Sequence, residues 1–426
     1  MASSSNPFHP GLLHRMWRIL PAQRRRRVFA WATAKVAPKP SPLVVDVAPG
    51  LAVGGELSRA SGLGEGARLM LRGVASLGLP AYPLDVGPPV GRGERQVVFD
   101  AGRLPPPGVS LVLHVNPPVL PLAMLRLGRN AVRGRRMIGY WAWELPVAPP
   151  EWRLGAAFVH EVWVPSAFTA GAMEPLLPGR VRVVRPALAK TPPIPAAIGR
   201  DGFGIPAGCV VVLVVFNLAS SFVRKNPLAA IMAFRAAFGD RADRLLILKV
   251  TNAGHFATDF EALTAAAGGA ANIRIETRLM APDELAALTQ TADIILSLHR
   301  SEGLGLVLAE SMLLGRPVIA TGWSGNLDFM DETSAALVPC RLIVPRDPRG
   351  VLVAEGAVWA DPDIGAAAEH LRRLADDPAE RARIGENGRR MALARFGPET
   401  LLTAMCAIGA VGDKISLGTE AETSPA

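Results

Sequence analysis

Cysteine is scarce in this chain of 426 residues: Cys209, Cys340 and Cys406 are odd in number and lie far apart. A disulfide frame and a cysteine-built metal site are therefore not expected, and a reducing compartment suits the sequence. Long apolar runs are missing too. The longest clean one, Cys209 to Phe216, has the length of a strand and falls far short of a membrane span. No cluster of His, Cys or carboxylates has ligand spacing, so no essential metal is expected. Acidic residues are absent from the first 45 positions, which hold eight of the 46 Lys and Arg and none of the 37 Asp and Glu. The remainder carries 38 basic against 37 acidic residues, so all but one of the nine net positive charges belong to an arm. A chain so nearly neutral elsewhere is not expected to bind nucleic acid.

What is present is a globular composition, half apolar and 19% charged, long enough for two or three domains. The arm, residues 1–44, interleaves its arginines with Leu12, Leu13, Met16, Trp17, Ile19, Leu20, Val28, Phe29 and Trp31. Such a mixture suits an anionic membrane surface, with contact expected through residues 12–39 and Pro21 interrupting any helix there. No clean apolar core or small-residue cleavage site follows the charges, so a secretory signal is not expected. The expected location is the cytoplasm, or the inner face of the membrane.

Beyond the arm, strand and helix patterns alternate. Leu43–Val47 and Leu51–Val53 are strand-like, a glycine-rich turn follows, and Ala67–Leu77 has helical periodicity. Gly62-x-Gly64-x-x-Ala67, with Asp85 further on, matches the dinucleotide fingerprint, although Ser58–Ser61 separate the glycines from the strand end. Gly108–Val115 is another strand, ending at His114, where ligands of open α/β sheets collect. Four of eight tryptophans lie between 141 and 163, a cluster that belongs in a core more often than in a sugar site. Ser166 suits a helix N-cap after the strand at Trp163. The prolines of Pro186–Gly199 mark a linker. Val210–Phe216, Leu245–Val250, Ile273–Glu276 and Ile294–Leu298 are the strands of a second doubly wound unit, with a helix opening at Pro227. Arg224 and Lys225, just before that helix, oppose its dipole and so suit an anionic ligand. Asp361-x-Asp363 precedes an amphipathic helix and reads as its N-cap. Pro378–Ala410 is largely helical, broken at Gly397-Pro398.

The stretch from Leu296 to Phe329 organises the rest. After the strand comes Ser301-Glu302-Gly303-Leu304-Gly305, then a helix that is apolar almost all round, with Gly315 closing it. Glu310 sits inside that helix and needs a partner, since an unpaired buried carboxylate is costly. Glu302 lies at the helix start, where free amides attract anions. Thr321–Asn326 forms a second glycine-rich turn that includes Ser324 and Asn326.

Glu302, seven residues, then Glu310, together with Gly-Leu-Gly, Tyr140–Glu144, Trp163-Val-Pro-Ser166 and Arg224-Lys-Asn-Pro227, resembles the retaining glycosyltransferases of family 4. The resemblance implies an α/β GT-B fold of two Rossmann-like doubly wound domains facing each other across a cleft. It divides the chain into the arm at 1–44, an acceptor-side domain at 45–190, a donor-side domain at 191–385, a helix at 386–410 packing back on the first domain, and a loose tail at 411–426. It further implies metal-independent transfer of a hexosyl group from a nucleoside diphosphate sugar, UDP or GDP, to a glycan or lipid-linked acceptor of envelope or extracellular polysaccharide, with no cofactor. Glu310 would bind the ribose, and Glu302 and His114 the donor sugar. Arg224, Lys225 and Gly303, Leu304 and Gly305 would hold the diphosphate. Gly62, Gly64, Ser324 and Asn326 would line the cleft, and Glu144 would face it. Two alternatives stand: an NAD-dependent oxidoreductase using Gly62, Gly64 and Asp85, and an inactive sugar-nucleotide-binding protein.

Overall fold

The computed structural model describes residues 22–42, 46–59, 61–86, 102 and 104–412. The expectations placed on residues 1–21, 43–45 and 413–426 therefore lie outside the described residues.

Short β-branched and leucine-rich runs supply two parallel six-stranded sheets. The first comprises β1 (Ala48–Gly55), β2 (Ala81–Asp85), β3 (Val109–His114), β4 (Met137–Tyr140), β5 (Glu161–Val164) and β6 (Val181–Val183), in the order β2-β1-β3-β4-β5-β6. The second comprises β7 (Val210–Asn217), β8 (Arg244–Thr251), β9 (Ile273–Glu276), β10 (Ile294–Ser297), β11 (Val318–Thr321) and β12 (Ala336–Val338), in the order β12-β11-β10-β7-β8-β9. A two-stranded ribbon, β13 (Cys340–Ile343) with β14 (Trp359–Pro362), follows.

Parallel strands joined by helical crossovers are covered on both faces, which is why their residues are apolar on both sides. In the second sheet Val212, Val214, Leu246, Leu248 and Ile294 face one core, while Val211, Leu213, Leu245, Ile247 and Ile295 face another. The tryptophans from 141 to 163 are core: Trp141, Trp143, Trp152 and Trp163 are all buried.

Each sheet reverses its winding once, and that reversal opens a crevice at the strand ends. In the first sheet it lies between β1 and β3, where Gly55 pairs with His114. In the second it lies between β7 and β10.

Helices relevant to the crevices are α1 (Ala22–Val36), α2 (Gly62–Ser76), α3 (Ala167–Met173), α4 (Phe222–Lys225), α5 (Pro227–Phe238), α6 (Leu306–Leu313), α7 (Ile364–Asp376), α8 (Pro378–Arg395) and α9 (Glu399–Ala407). Two boundaries differ from expectation. Helix α2 begins five residues before Ala67, because the Ser61 hydroxyl caps it by accepting from the Gly64 amide. β1 runs from Ala48 to Gly55, longer at both ends than Leu51–Val53. Gly315 closes α6 as expected: it follows the Leu314 cap at φ 68°, and its amide donates to the Met312 carbonyl at 2.9 Å.

After α8, which packs Ala392 and the following Phe396 into the second domain's core, the chain returns to the first sheet. Leu401, Ala404 and Met405 of α9 join the Leu51 and Val53 core, and the Gly50 amide donates to the Ala410 carbonyl at 2.8 Å.

Candidate active site

The loops that leave β7 and β10 meet at the second sheet's reversal. Ser221 and Asn226 adopt φ of 76° and 52°, left-handed conformations that turn the chain sharply on either side of α4. The Asn226 amide donates to the Leu298 carbonyl at 3.0 Å and ties one loop to the other. Arg224 and Lys225 occupy the last turn of this separate short helix rather than the start of α5. The expected conflict with the α5 dipole is thereby removed, because a helix C-terminus favours cations.

Arg224 is 3% exposed, and its guanidinium donates to the Ser301 carbonyl at 2.7 Å and to the Ser220 carbonyl at 2.9 and 3.2 Å. It also lies 3.1 Å from Glu302 Oε2 and 3.7 Å from Glu144 Oε1. Lys225 Nζ donates to Glu302 Oε1 at 2.5 Å. Burial by itself would raise the Glu302 carboxyl pKa, but Arg224, Lys225 and His299 outweigh that and hold it far below the usual carboxylate range. Burial lowers the Lys225 ammonium pKa, with the Arg224 charge adding to the effect and Glu302 opposing it. The result is a buried cluster in which two cations directly contact one anion.

The second glycine-rich turn supports Glu302 from below. Its amide donates to Ser324 Oγ at 2.8 Å, and its carbonyl accepts from the Gly325 amide at 2.9 Å. A Cβ on Gly325 would come within 2.3 Å of the Gly303 carbonyl oxygen, so only glycine allows this approach. Asn326 donates to the Thr321 carbonyl at 3.0 Å and faces His299 Nε2 at 3.1 Å. His299 Nδ1 faces Ser297 Oγ at 3.0 Å, and burial lowers the pKa of this ring. Ser324 and Asn326 thus use their side chains to shape the loop. The amides of Gly303, Leu304 and Gly305, by contrast, donate to no acceptor among the described residues. Gly305, at φ 99°, caps α6, and the Leu306 and Val307 amides that follow donate to no acceptor among the described residues.

Helix α6 is not buried all round. Leu306, Val307, Glu310 and Leu314 form a partly exposed stripe. Burial, and after it the charge of Glu65 on α2, pushes the Glu310 pKa up to about 7, with Arg72 opposing. Its carboxyl has no hydrogen-bond partner among the described residues.

The first domain brings other groups to the crevice. His114 is 1% exposed, stacked on Tyr140 with ring centroids 4.2 Å apart, and its Nε2 lies 3.4 Å from Met70 Sδ. Burial pushes its pKa down to about 3, so the ring is neutral, and its Nδ1 has no hydrogen-bond partner among the described residues. A Cβ on Gly66 would stand 3.4 Å from that nitrogen. Gly64 packs so closely that a Cβ would meet the Arg59 carbonyl oxygen at 2.6 Å, whereas Gly62 faces open space. Asp85 accepts from the Ser58 hydroxyl at 3.3 Å. His160 and Glu161 serve the strand edge, bonding the Met137 amide and the Trp163 indole.

The seam between the domains runs through the same loop. Ser301 Oγ donates to the Glu144 carbonyl, while Ser166 Oγ and Thr169 Oγ1 donate to the Gly303 carbonyl at 2.5 and 3.2 Å. Arg185 pairs with Asp328 at 2.9 Å. Ser166 is legible in sequence as the cap of α3, but its bond to a loop 137 residues away is not.

With this geometry in view, residues 215–391 match the family model described as Glycosyl transferases group 1. That segment is similar to group 1 glycosyl transferases. It runs from the end of β7 through most of α8 and so contains Arg224, Lys225, Glu302, Glu310 and the turn at Ser324. No curated protein matches the chain. Solved glycosyltransferase structures share its fold at low identity. The Anabaena protein Alr3699/HepE in complex with UDP and glucose is 12% identical, with a TM-score of 0.59 over 84% of this chain and 98% of its own. Sucrose-phosphate synthase of Thermosynechococcus elongatus is 17% identical, with a TM-score of 0.58 over 84% and 98%. WaaG, a glycosyltransferase involved in lipopolysaccharide biosynthesis, is 16% identical, with a TM-score of 0.53 over 85% and 100%. The architecture of this chain is GT-B, two parallel α/β sheets on either side of a crevice. Among the described residues no group of three or more His, Cys, Asp or Glu could hold a metal ion.

Proposed function

We propose that the protein is a retaining, metal-independent glycosyltransferase of family 4 type. It would move a hexosyl group from a UDP- or GDP-sugar to a glycan or lipid-linked acceptor of envelope or extracellular polysaccharide, on the cytoplasmic side of a membrane. The observation that carries this reading is the pairing of an overcompensated anion with open donors. Glu302 holds Arg224 and Lys225 in place beside the unpaired amides of Gly303–Gly305, while Glu310 waits without a partner along the same helix.

A departing nucleoside diphosphate develops negative charge on its phosphate oxygens. Lys225, Arg224 and those amides are fixed in advance where that charge would form, a preorganised electrostatic role that supplies by side chains what a metal supplies elsewhere. Glu310 would accept from the ribose hydroxyls. Glu302 keeps lone pairs for a sugar hydroxyl beyond its two cations, and neutral His114 would add a contact from the first domain. No nucleophile is assigned. Attack by the acceptor on the leaving-group face retains configuration without one. The glycine turn at Gly62 and Gly64 is a capped helix start whose Gly64 amide is already used, which favours a cleft-lining role over a dinucleotide site.

The test is to incubate the protein with UDP-glucose or GDP-mannose in EDTA and follow the first product by NMR. Release or transfer of the α-anomer supports the reading. A β-anomer would overturn retention, and activity restored only by a divalent cation would overturn metal independence. Binding of donor without transfer or slow hydrolysis would favour the inactive sugar-nucleotide-binding protein.

A further inference from the structure

The fold places side by side two stretches that lack acidic residues. One is residues 22–42; the other is 104–143, which contains Arg126, Arg129, Arg133, Arg135 and Arg136; neither holds an Asp or Glu. Helix α1 packs along the Leu120–Leu127 helix, with Ala34 and Ala37 set against the core that holds Leu120, Ala123 and Met124. Its outward residues are therefore Arg24, Arg27, Val28, Trp31, Ala32, Lys35 and Val36, all exposed. Arg126, Arg129 and Arg133 are exposed on the neighbouring element.

The chemistry of this face is mixed in a specific way. Trp31 is 57% exposed, Val28 45% and Val36 68%, and Lys35 Nζ lies over the Trp31 ring at 5.5 Å. The acid on the adjoining Pro150–Phe158 turn, Glu151, is taken by Arg27 at 3.1 Å. That turn adds Leu154, 46% exposed. Arg24, Lys35, Arg129 and Arg133 have no acidic partner among the described residues. A purely basic face would suit any polyanion. Apolar and aromatic side chains set among the cations instead suit a lipid interface, where rings and methyls enter the headgroup layer and the charges meet lipid phosphates.

We infer that α1 and the Arg126–Arg133 segment together form one docking surface for a bilayer containing anionic lipid. The inference deepens the proposed function by naming how the enzyme would reach a lipid-linked acceptor, and it extends the surface beyond the N-terminal arm to a second segment of the first domain.

The test is co-sedimentation of the full chain with phosphatidylcholine vesicles, with and without phosphatidylglycerol, at low and high salt. Donor binding and thermal unfolding are measured on the same preparations. Vesicle binding should require phosphatidylglycerol and fall with salt. Arg129→Ala/Arg133→Ala should weaken it about 25-fold, at roughly fivefold per cation near the surface, and Trp31→Ala should weaken it about tenfold. Donor binding and unfolding should be unchanged in both variants. Unchanged vesicle binding by the arginine variant, or equal binding to neutral vesicles, would overturn the inference. So would equal binding to heparin together with indifference to Trp31→Ala, which would assign a soluble polyanion instead. Vesicle binding that behaves as stated in a protein with no donor affinity would support the surface and count only against the transferase reading.

Discussion

Two neighbouring regions of the second domain carry a glutamate each, and they solve opposite problems. At the loop before α6, Glu302 is met by two cations, a serine hydroxyl on its own amide and a glycine amide on its carbonyl. Within α6, Glu310 has no such partners and carries a pKa raised to about 7. The first region is complete in itself. The second is incomplete, and what it lacks is a hydrogen-bond donor. A protein keeps an unpaired, largely buried carboxyl at a cost, and a ligand bearing hydroxyls is the simplest group to offset it.

The largest effect should come from breaking the complete region. Glu302→Gln leaves Arg224 and Lys225 buried without their shared anion, and we expect a loss of about 3 kcal/mol in stability, read from the denaturant midpoint. An unchanged midpoint would mean that Glu144 and solvent suffice for both cations. Next, Lys225→Ala should reduce kcat/KM by roughly 30- to 150-fold, the scale of about 2–3 kcal/mol for a charged hydrogen bond lost at the transition state. Near-normal turnover would remove Lys225 from the site.

Glu310→Gln probes the incomplete region and should weaken nucleotide diphosphate binding about tenfold. It also has a pH signature. The folded protein raises this carboxyl from 4.5 to about 7, so the fold favours its neutral form. That contribution is present below pH 4.5 and is lost as pH rises through 7. The glutamine variant should therefore match the parent in thermal unfolding near pH 4.5 and exceed it at pH 8, by on the order of 1 kcal/mol. Donor affinity of the parent should fall as the pH drops below 7, while the variant stays flat. The smallest effect concerns His114. Its imidazole should stay neutral down to pH 4 by NMR and contribute no limb to the rate profile between pH 5 and 8. A titration near its ordinary value would show the ring to be far more open to solvent than its packing on Tyr140 and Met70 allows.

Much of the fold was legible because its signals are local. Buried parallel strands appear as apolar runs, and Ser166, Asp363 and Pro227 mark helix starts by chemistry that acts within one turn. The start of α2 was misplaced because Gly62, Gly64 and Gly66 lower helical propensity, and only the Ser61 cap and tertiary packing restore it. The apolar content of α6 suggests burial on all sides, yet Leu306, Val307, Glu310 and Leu314 are partly exposed, which sequence periodicity does not register. The residues of the Glu302 cluster were each nameable. That Arg224 and Lys225 would contact Glu302 itself was not, since the contact depends on two loops brought together by strand order. The seam of Ser166, Thr169 and Glu144 with the Ser301–Gly303 loop was invisible for the same reason.

The measurement that bears most directly on this account is calorimetric titration of the purified protein with UDP, GDP and NAD, with EDTA present throughout. One nucleoside diphosphate should bind, with binding lost or strongly weakened in Lys225→Ala and Glu310→Gln. Binding of NAD alone, indifferent to both substitutions, would contradict it and move the site to the glycine turn at Gly62.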